Sequence, residues 1–341
     1  DAPVIGVDPD PEALRVALAV GAITEAAPSV EEAAGRADAV VLAAPVPLIP
    51  GLAERALRSA GPDCVVTDMG STKAGVMAAM PPAVRARFIG GHPVCGGERP
   101  GGAFARQELF RGATWFLTPA PEARSDLFQR LHALVASVGA RPVAIDAGVH
   151  DRLMALVSHL PHVLAGALVN QAAATAPEGR EALRSAGPSF VDLTRVAGSN
   201  PPLWADILLA NAGPLLEELR AYSERLAEVE AALERGDRDW LLGFVADAGE
   251  ARGRLRRAED RAPEDATRVV VGVPNRPGAI SEIATALGHA HINIEDLSLR
   301  PGPPDGEGEL VLLVESPAAA REAVRLVGER GYRAREEGDA A

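Results

Sequence analysis

Cys64-Val65-Val66-Thr67-Asp68-Met69-Gly70-Ser71-Thr72-Lys73 decides the fold. An apolar run with β-branched residues ends at an acid, turns on a glycine, and enters a helical pattern. A strand that feeds a helix through a short polar turn is the repeating unit of a parallel sheet. The same signature recurs on both sides of it. Val4–Val7, Ala39–Ala44, Phe88–Gly91, Thr114–Leu117 and Pro142–Ile145 read as further strands. Pro11–Val20, Leu48–Ala60 and Ser125–Val138 read as helices between them, the first with proline in its opening turn and Gly21 beyond its end. The region 1–147 is therefore expected to be α/β, a doubly wound, mostly parallel sheet.

Beyond His150 the strand signal nearly vanishes. Leu153–Ala176, Pro202–Ala212, Leu215–Leu233 and Asp237–Arg257 read as helices, so 148–260 is expected to be an all-α unit. The first of these is apolar enough to be buried on most sides, in part against a second copy of the chain. A polar linker spans 261–267. The pattern then reads β-α-β-β-α with a short last strand near Tyr332, a ferredoxin-like βαββαβ unit over 268–341.

The 341 residues carry a net charge of −13, which speaks against nucleic acid or an anionic membrane surface as main partner. No stretch reads as a membrane span or signal peptide, and two cysteines, Cys64 and Cys95, are too few for a disulfide scaffold. A reducing cytoplasm is the expected location. Of 34 basic residues all but Lys73 are arginine, so a lone ammonium at that turn suggests a compact cation is required there.

Five stretches carry chemistry. Asp8, ending the first strand, suits a carboxylate bonded to the ribose of a dinucleotide. No G-x-G-x-x-G stands before it, so the chain reads as opening at the second strand of such a fold. Gly70–Lys73 offers amides and hydroxyls at a helix start, to a ligand or simply as an N-cap. His92, following Gly90-Gly91, suits a general base or a loop cap. Ser158-His159-Leu160-Pro161-His162 puts two histidines at i, i+3 beside a helix-bending proline. Those histidines read either as core residues or as site-lining ones, and with Asp151 as a weaker metal set. Asp192-Leu193-Thr194-Arg195 offers an arginine fork for a carboxylate, or a structural Asp–Arg pair. Trp204 reads as core or pocket wall.

Taken in series, Gly-Ser-Thr-Lys (Gly70–Lys73), Gly-Gly-His-Pro (Gly90–Pro93), Ser-His-Leu-Pro-His (Ser158–His162) and Asp-Leu-Thr-Arg (Asp192–Arg195) resemble the prephenate dehydrogenase family. The tail, with Pro274-Asn275-Arg276-Pro277-Gly278-Ala279-Ile280 and Ile292-Asn293-Ile294, resembles an ACT domain. The resemblance implies a Rossmann-like first domain lacking its first strand and glycine turn, a helical dimerisation domain, and NAD as cofactor with no metal. It implies oxidative decarboxylation of prephenate to 4-hydroxyphenylpyruvate, with arogenate as the alternative substrate. His92, Ser71 and His162 would be catalytic. Arg195, His159, Ser158, Trp204 and Glu98 would hold substrate, and Asp8, Pro45, Ser71 and Lys73 the cofactor. Asn275, Pro277, Gly278, Ala279 and Asn293 would bind L-tyrosine or another amino acid as effector. A non-catalytic amino-acid sensor is the alternative from another class, because the phosphate turn is absent.

Overall fold

The computed structural model describes residues 3–96, 105–174, 186–259, 267–274, 278–290, 292–300 and 307–337. Five strands form the central sheet: β3 (Ala39–Leu42), β4 (Val65–Asp68), β5 (Phe88–Pro93), β6 (Thr114–Pro119) and β7 (Arg141–Ala144), in that spatial order. All neighbours are parallel except β5 and β6, which run antiparallel. β1 (Ile5–Gly6) and β2 (Glu25–Ala26) pair in parallel as a separate two-stranded sheet.

Both faces of the large sheet are covered, which is why β4 is buried at all four positions, Asp68 included. On one face Ile49, Ala53, Ala56 and Leu57 of the Ile49–Ser59 helix pack against Val66 and Phe88. On the other, Leu127, Phe128, Leu131 and Val135 form the inward stripe of the Ser125–Ser137 helix. Each of these leucine, isoleucine, valine and phenylalanine side chains contributes roughly 1.5–3 kcal/mol when fully buried.

Asp146 caps the next helix by accepting N–H bonds from Gly148 and Val149. That helix runs regularly over Ala147–Met154, passes through a π turn at Ala155–His159, and continues over Leu160–Ala174. The expected disturbance at Pro161 thus lies in the turn just before it. Proline has no N–H for the carbonyl four residues back, and a wider turn absorbs the mismatch. The expectation of no membrane-length segment is corrected: Ala147–Ala174 is 28 residues long and apolar enough to span by length and composition. It nevertheless encloses His150 and Asp151, which are tied to the central sheet. The expected burial on most sides also fails within this chain, since Leu156 and Val157 are about half exposed. Pro188–Thr194, Pro201–Ala210, Ala212–Arg235 and Arg238–Glu259 complete the helical unit.

The C-terminal unit is a four-stranded antiparallel sheet, ordered β11 (Arg333–Glu336), β8 (Thr267–Pro274), β10 (Glu307–Val314), β9 (Ile294–Arg300). Helices Ala279–His289 and Pro317–Gly328 complete the ferredoxin-like order. Its core is continuous with that of the first unit: Val269, Leu310 and Ile283 belong to the same buried cluster as Leu117, Leu127 and Phe128.

Candidate active site

The turn after β4 is built around one buried ion pair. Asp68 and Lys73 are both fully enclosed and bonded to each other. Asp68 also accepts the N–H of Gly70 at 2.8 Å and of Gly91 at 3.0 Å, and Lys73 Nζ donates to the Gly91 carbonyl at 2.8 Å. The pair therefore clamps β4 to β5 directly beneath His92. Burial pushes the Lys73 ammonium below its usual value, and Asp68 opposes that. The expected place of Lys73 at the cofactor is corrected: its ammonium faces inward and holds the two strand ends together.

The space that Gly90 and Gly91 leave is taken by protein. A Cβ at Gly90 would lie 2.3 Å from Thr118 Oγ1, and one at Gly91 2.5 Å from the Asp68 carbonyl. His92 itself lies within β5, opposite Phe116, rather than in the following loop.

His92 Nδ1 is 2.8 Å from His150 Nε2, and His150 Nδ1 is 2.8 Å from Asp151 Oδ1. Asp151 in turn accepts the backbone N–H of Lys73 at 2.7 Å and of Ala74 at 2.8 Å. Phe116 meets the His150 ring edge-on at 5.3 Å. Burial pushes the His92 imidazole well below its ordinary value, and His150, Lys73 and His159 add to the shift. His150 is lowered mainly by burial, against the pull of Asp151. Both rings are therefore neutral near pH 7.

The helical unit supplies a second cluster. Trp204, on the Pro201–Ala210 helix, stacks on His162 with centroids 3.5 Å apart and planes 5° apart, and meets His159 edge-on at 6.1 Å. Asn211 Nδ2 donates to the Asp151 carbonyl at 2.7 Å and lies 3.0 Å from His159 Nδ1. Burial lowers His159 to about 4 and also lowers His162. Asn211 Oδ1 and His162 Nδ1 are buried with no hydrogen-bond partner among the described residues. Ser158 is half-buried, and Arg195 stands exposed on the 3₁₀ turn Arg195–Gly198, which packs on the helix carrying His162.

The two clusters meet where the Pro201–Ala210 helix packs against the turn Val46–Leu48 that follows β3. Pro45, at the start of that turn, is exposed, as is Asp8 after β1. Half-buried Ser71 lies in the β4 turn, two residues before the Lys73 amide that binds Asp151. These positions lie just past the C-terminal ends of parallel strands, where open α/β sheets bind ligands. They fit NAD, with an exposed carboxylate for ribose at Asp8 and a hydroxyl at Ser71. A glycine-rich pyrophosphate turn is not among the described residues.

Glu98 lies outside the described residues, as do Asn275 and Pro277. Gly278 has φ 88°, but a Cβ there would lie 2.4 Å from the Pro121 carbonyl. The close approach it allows here is to the backbone of the first unit. Ser281 Oγ donates to the Pro119 carbonyl at 3.1 Å along the same seam. Ala279 is buried and Asn293 exposed. The sequence reading gave His150 and Asn211 no role. Asn211 had a signal: it is the lone polar residue in the apolar run Ile207–Ala212.

Three family models match in chain order. They are "Prephenate dehydrogenase, nucleotide-binding domain" over 1–144, "Prephenate dehydrogenase, dimerization domain" over 146–246, and "ACT domain" over 267–327. A prephenate dehydrogenase of Bacillus subtilis is 29% identical over 330 residues, covering 96% of this chain and 89% of that protein. A cyclohexadienyl dehydrogenase of Zymomonas mobilis is 31% identical, covering 69% of this chain and 80% of its own length. Among solved structures, prephenate dehydrogenase from Aquifex aeolicus in complex with hydroxyphenyl propionate and NAD+ is 26% identical. It superposes with a TM-score of 0.70 over 75% of this chain and 90% of that one.

Proposed function

The chain belongs to the prephenate dehydrogenase family, and from that membership we propose how its residues perform the reaction. The protein is an NAD-dependent prephenate dehydrogenase that produces 4-hydroxyphenylpyruvate, with amino-acid control through its ACT domain. Asp8, Pro45 and Ser71 would hold NAD, which would supply the hydride acceptor for the ring carbon that bears the hydroxyl. His92 takes the hydroxyl proton as the carbonyl forms, because a neutral imidazole is the form that can accept it. Ser71 bonds that oxygen and orients it toward the nicotinamide side. Loss of the ring carboxylate as CO2 then makes the ring aromatic, and the oxygen regains its proton.

On the other side of the cleft, Arg195 holds a substrate carboxylate with its planar fork. His162 and Trp204 form a flat wall for the ring, with Ser158 and His159 beside them. Glu98 is assigned to the substrate side, and Asp8 and Pro45 to the cofactor. The observation that carries this reading is His92 seated on β5 above the Asp68–Lys73 clamp, with His150 and Asp151 bonded in series behind it.

The finer partners are part of the proposal. Exposed Leu156, Val157, Leu209, Leu233 and Val245 on the helical unit support a homodimer formed through that unit. L-Tyrosine, or another amino acid, is the effector assigned to residues 275–279 and Asn293. The exposed free thiol of Cys95 supports a reducing, cytoplasmic setting. Prephenate and arogenate differ by a keto or amino group on the side chain, and arogenate, giving tyrosine, is the second substrate to test.

The test is NADH appearance with prephenate, arogenate and a simple 2-hydroxy acid, each with and without L-tyrosine. Turnover of prephenate that falls when tyrosine is added is expected. Silence on both cyclohexadienes alongside turnover of the 2-hydroxy acid would overturn the assignment.

A further inference from the structure

The bond pattern behind His92 has a direction. Asp151 receives two backbone N–H bonds, and as a carboxylate it only accepts. The bond to His150 must then be donated by His150 Nδ1, which leaves His150 Nε2 as a lone pair. His92 Nδ1 sits 2.8 Å from that lone pair, so Nδ1 of His92 carries its proton. The remaining nitrogen of His92, Nε2, is then the acceptor. Each assignment forces the next, and the series starts at two amides fixed by the clamp between β4 and β5.

We propose that His150 is a positioning residue that fixes His92 in the Nδ1–H form, with Asp151 fixing His150 in turn. The inference rests on the reading of His92 as the proton acceptor and adds to it why that ring accepts rather than donates. The balance of the reaction gives the arrangement a second use. Prephenate and NAD+ become 4-hydroxyphenylpyruvate, CO2 and NADH with no net proton released. The C–H electron pair leaves as hydride, and the electron pair of the broken carboxylate bond enters the ring. The hydroxyl proton is removed and later restored to the same oxygen. His92 must hold it in the interval, as an imidazolium in a buried place. Sharing its Nδ1 proton with His150, whose own Nδ1 proton faces the Asp151 carboxylate, lowers the cost of that interval.

The groups facing His150 are His92 from β5, Asp68 and Lys73 from the β4 turn, Asp151 and His159 from its own helix, and the Phe116 ring from β6. None but His92 and Asp151 is bonded to it among the described contacts, so the tautomer assignment runs through those two alone.

The experiment is histidine-selective 15N NMR of the full chain without substrate. The His92 signal is expected to show a protonated Nδ1 and an unprotonated Nε2. A protonated Nε2 in the wild-type protein overturns the proposal, whatever the enzyme does with prephenate. A wild-type protein silent on prephenate but showing the Nδ1–H form would overturn the functional reading and leave this one standing. Two variants extend the test. His150→Asn, too short to reach His92, is expected to lower kcat roughly 10- to 100-fold with KM within about 2-fold. His150→Gln, whose carbonyl can replace Nε2 as acceptor, is expected to recover most of that loss. A folded Gln variant as impaired as a folded Asn variant overturns the proposal. The wild-type spectrum needs no variant, so misfolding of either one does not remove the test.

Discussion

The strand ends around His92 and the helical cluster around Trp204 are joined by the bond from Asn211 to the Asp151 carbonyl but are built differently. At the strand ends Asp68, Lys73, His150 and Asp151 are all buried and all bonded to one another or to backbone. In the helical cluster Asn211 Oδ1 and His162 Nδ1 have no hydrogen-bond partner among the described residues, whereas near the strand ends the atoms without one, Thr67 Oγ1, Thr118 Oγ1 and Trp115 Nε1, all belong to residues that carry no charge. A group that performs the same proton transfer in every turnover gains from being fixed in advance. Groups that receive a substrate must keep bonding capacity for it, because each unmade buried bond costs roughly 1–3 kcal/mol until something makes it. The contrast separates a preassembled reaction side from a receiving side.

That contrast is open to attack at four points. His92→Ala removes the base from the preassembled side, and kcat is expected to fall roughly 10²- to 10⁴-fold with little change in KM. A KM effect as large as the kcat effect would break the division. Lys73→Met leaves Asp68 buried without its cation, and denaturant unfolding should show a loss of about 3–5 kcal/mol. Adding Asp68→Asn to Lys73→Met should recover part of it, since the stranded charge is gone. Arg195→Ala acts on the receiving side. It should raise KM by the loss of a charge-assisted contact of about 1.5–3 kcal/mol, with kcat changed far less.

The fourth point is pH. His159 is held to about 4 in the folded protein, below the ordinary value near 6.5 that it regains on unfolding. Between those values the unfolded chain binds the extra proton, so stability falls as pH drops from 6.5 toward 4. Melting temperature measured across that window should decline, and His159→Asn should flatten the decline. The activity limb should behave in parallel: kcat/KM falls on the acid side with an apparent pKa below 6.5, because His92 must be neutral to accept.

Much of the strand-end side was legible in the sequence because its determinants are local. Val65–Asp68 reads as a strand wherever it is placed, and the single lysine among arginines marked a site needing a compact cation. What that cation touches was not legible, since Asp68 and Gly91 are brought to it only by the pairing of β4 with β5. The same limit hid His150. Its partner His92 is 58 positions away, and no periodicity connects a helix residue to a strand residue across that separation. The pair Gly90-Gly91 is conspicuous in the sequence, but that the space beside it belongs to Thr118 and the Asp68 carbonyl follows only from the pairing of β5 with its neighbours. In the helical unit, Pro161 points to a disturbance, while the contacts of Asn211 with the Asp151 carbonyl and His159 beside the π turn come from 60 and 52 positions away.

The enclosure of Lys73 has a practical use. The sequence contains one lysine, and its side chain has no exposed surface in the folded state. Amine-directed reagents therefore have no lysine to modify while the strand ends stay closed. When the clamp opens, a single amine becomes reactive at a known position. Labelling yield at Lys73, read by mass spectrometry against time, would thus clock the opening of the catalytic framework without any engineered probe.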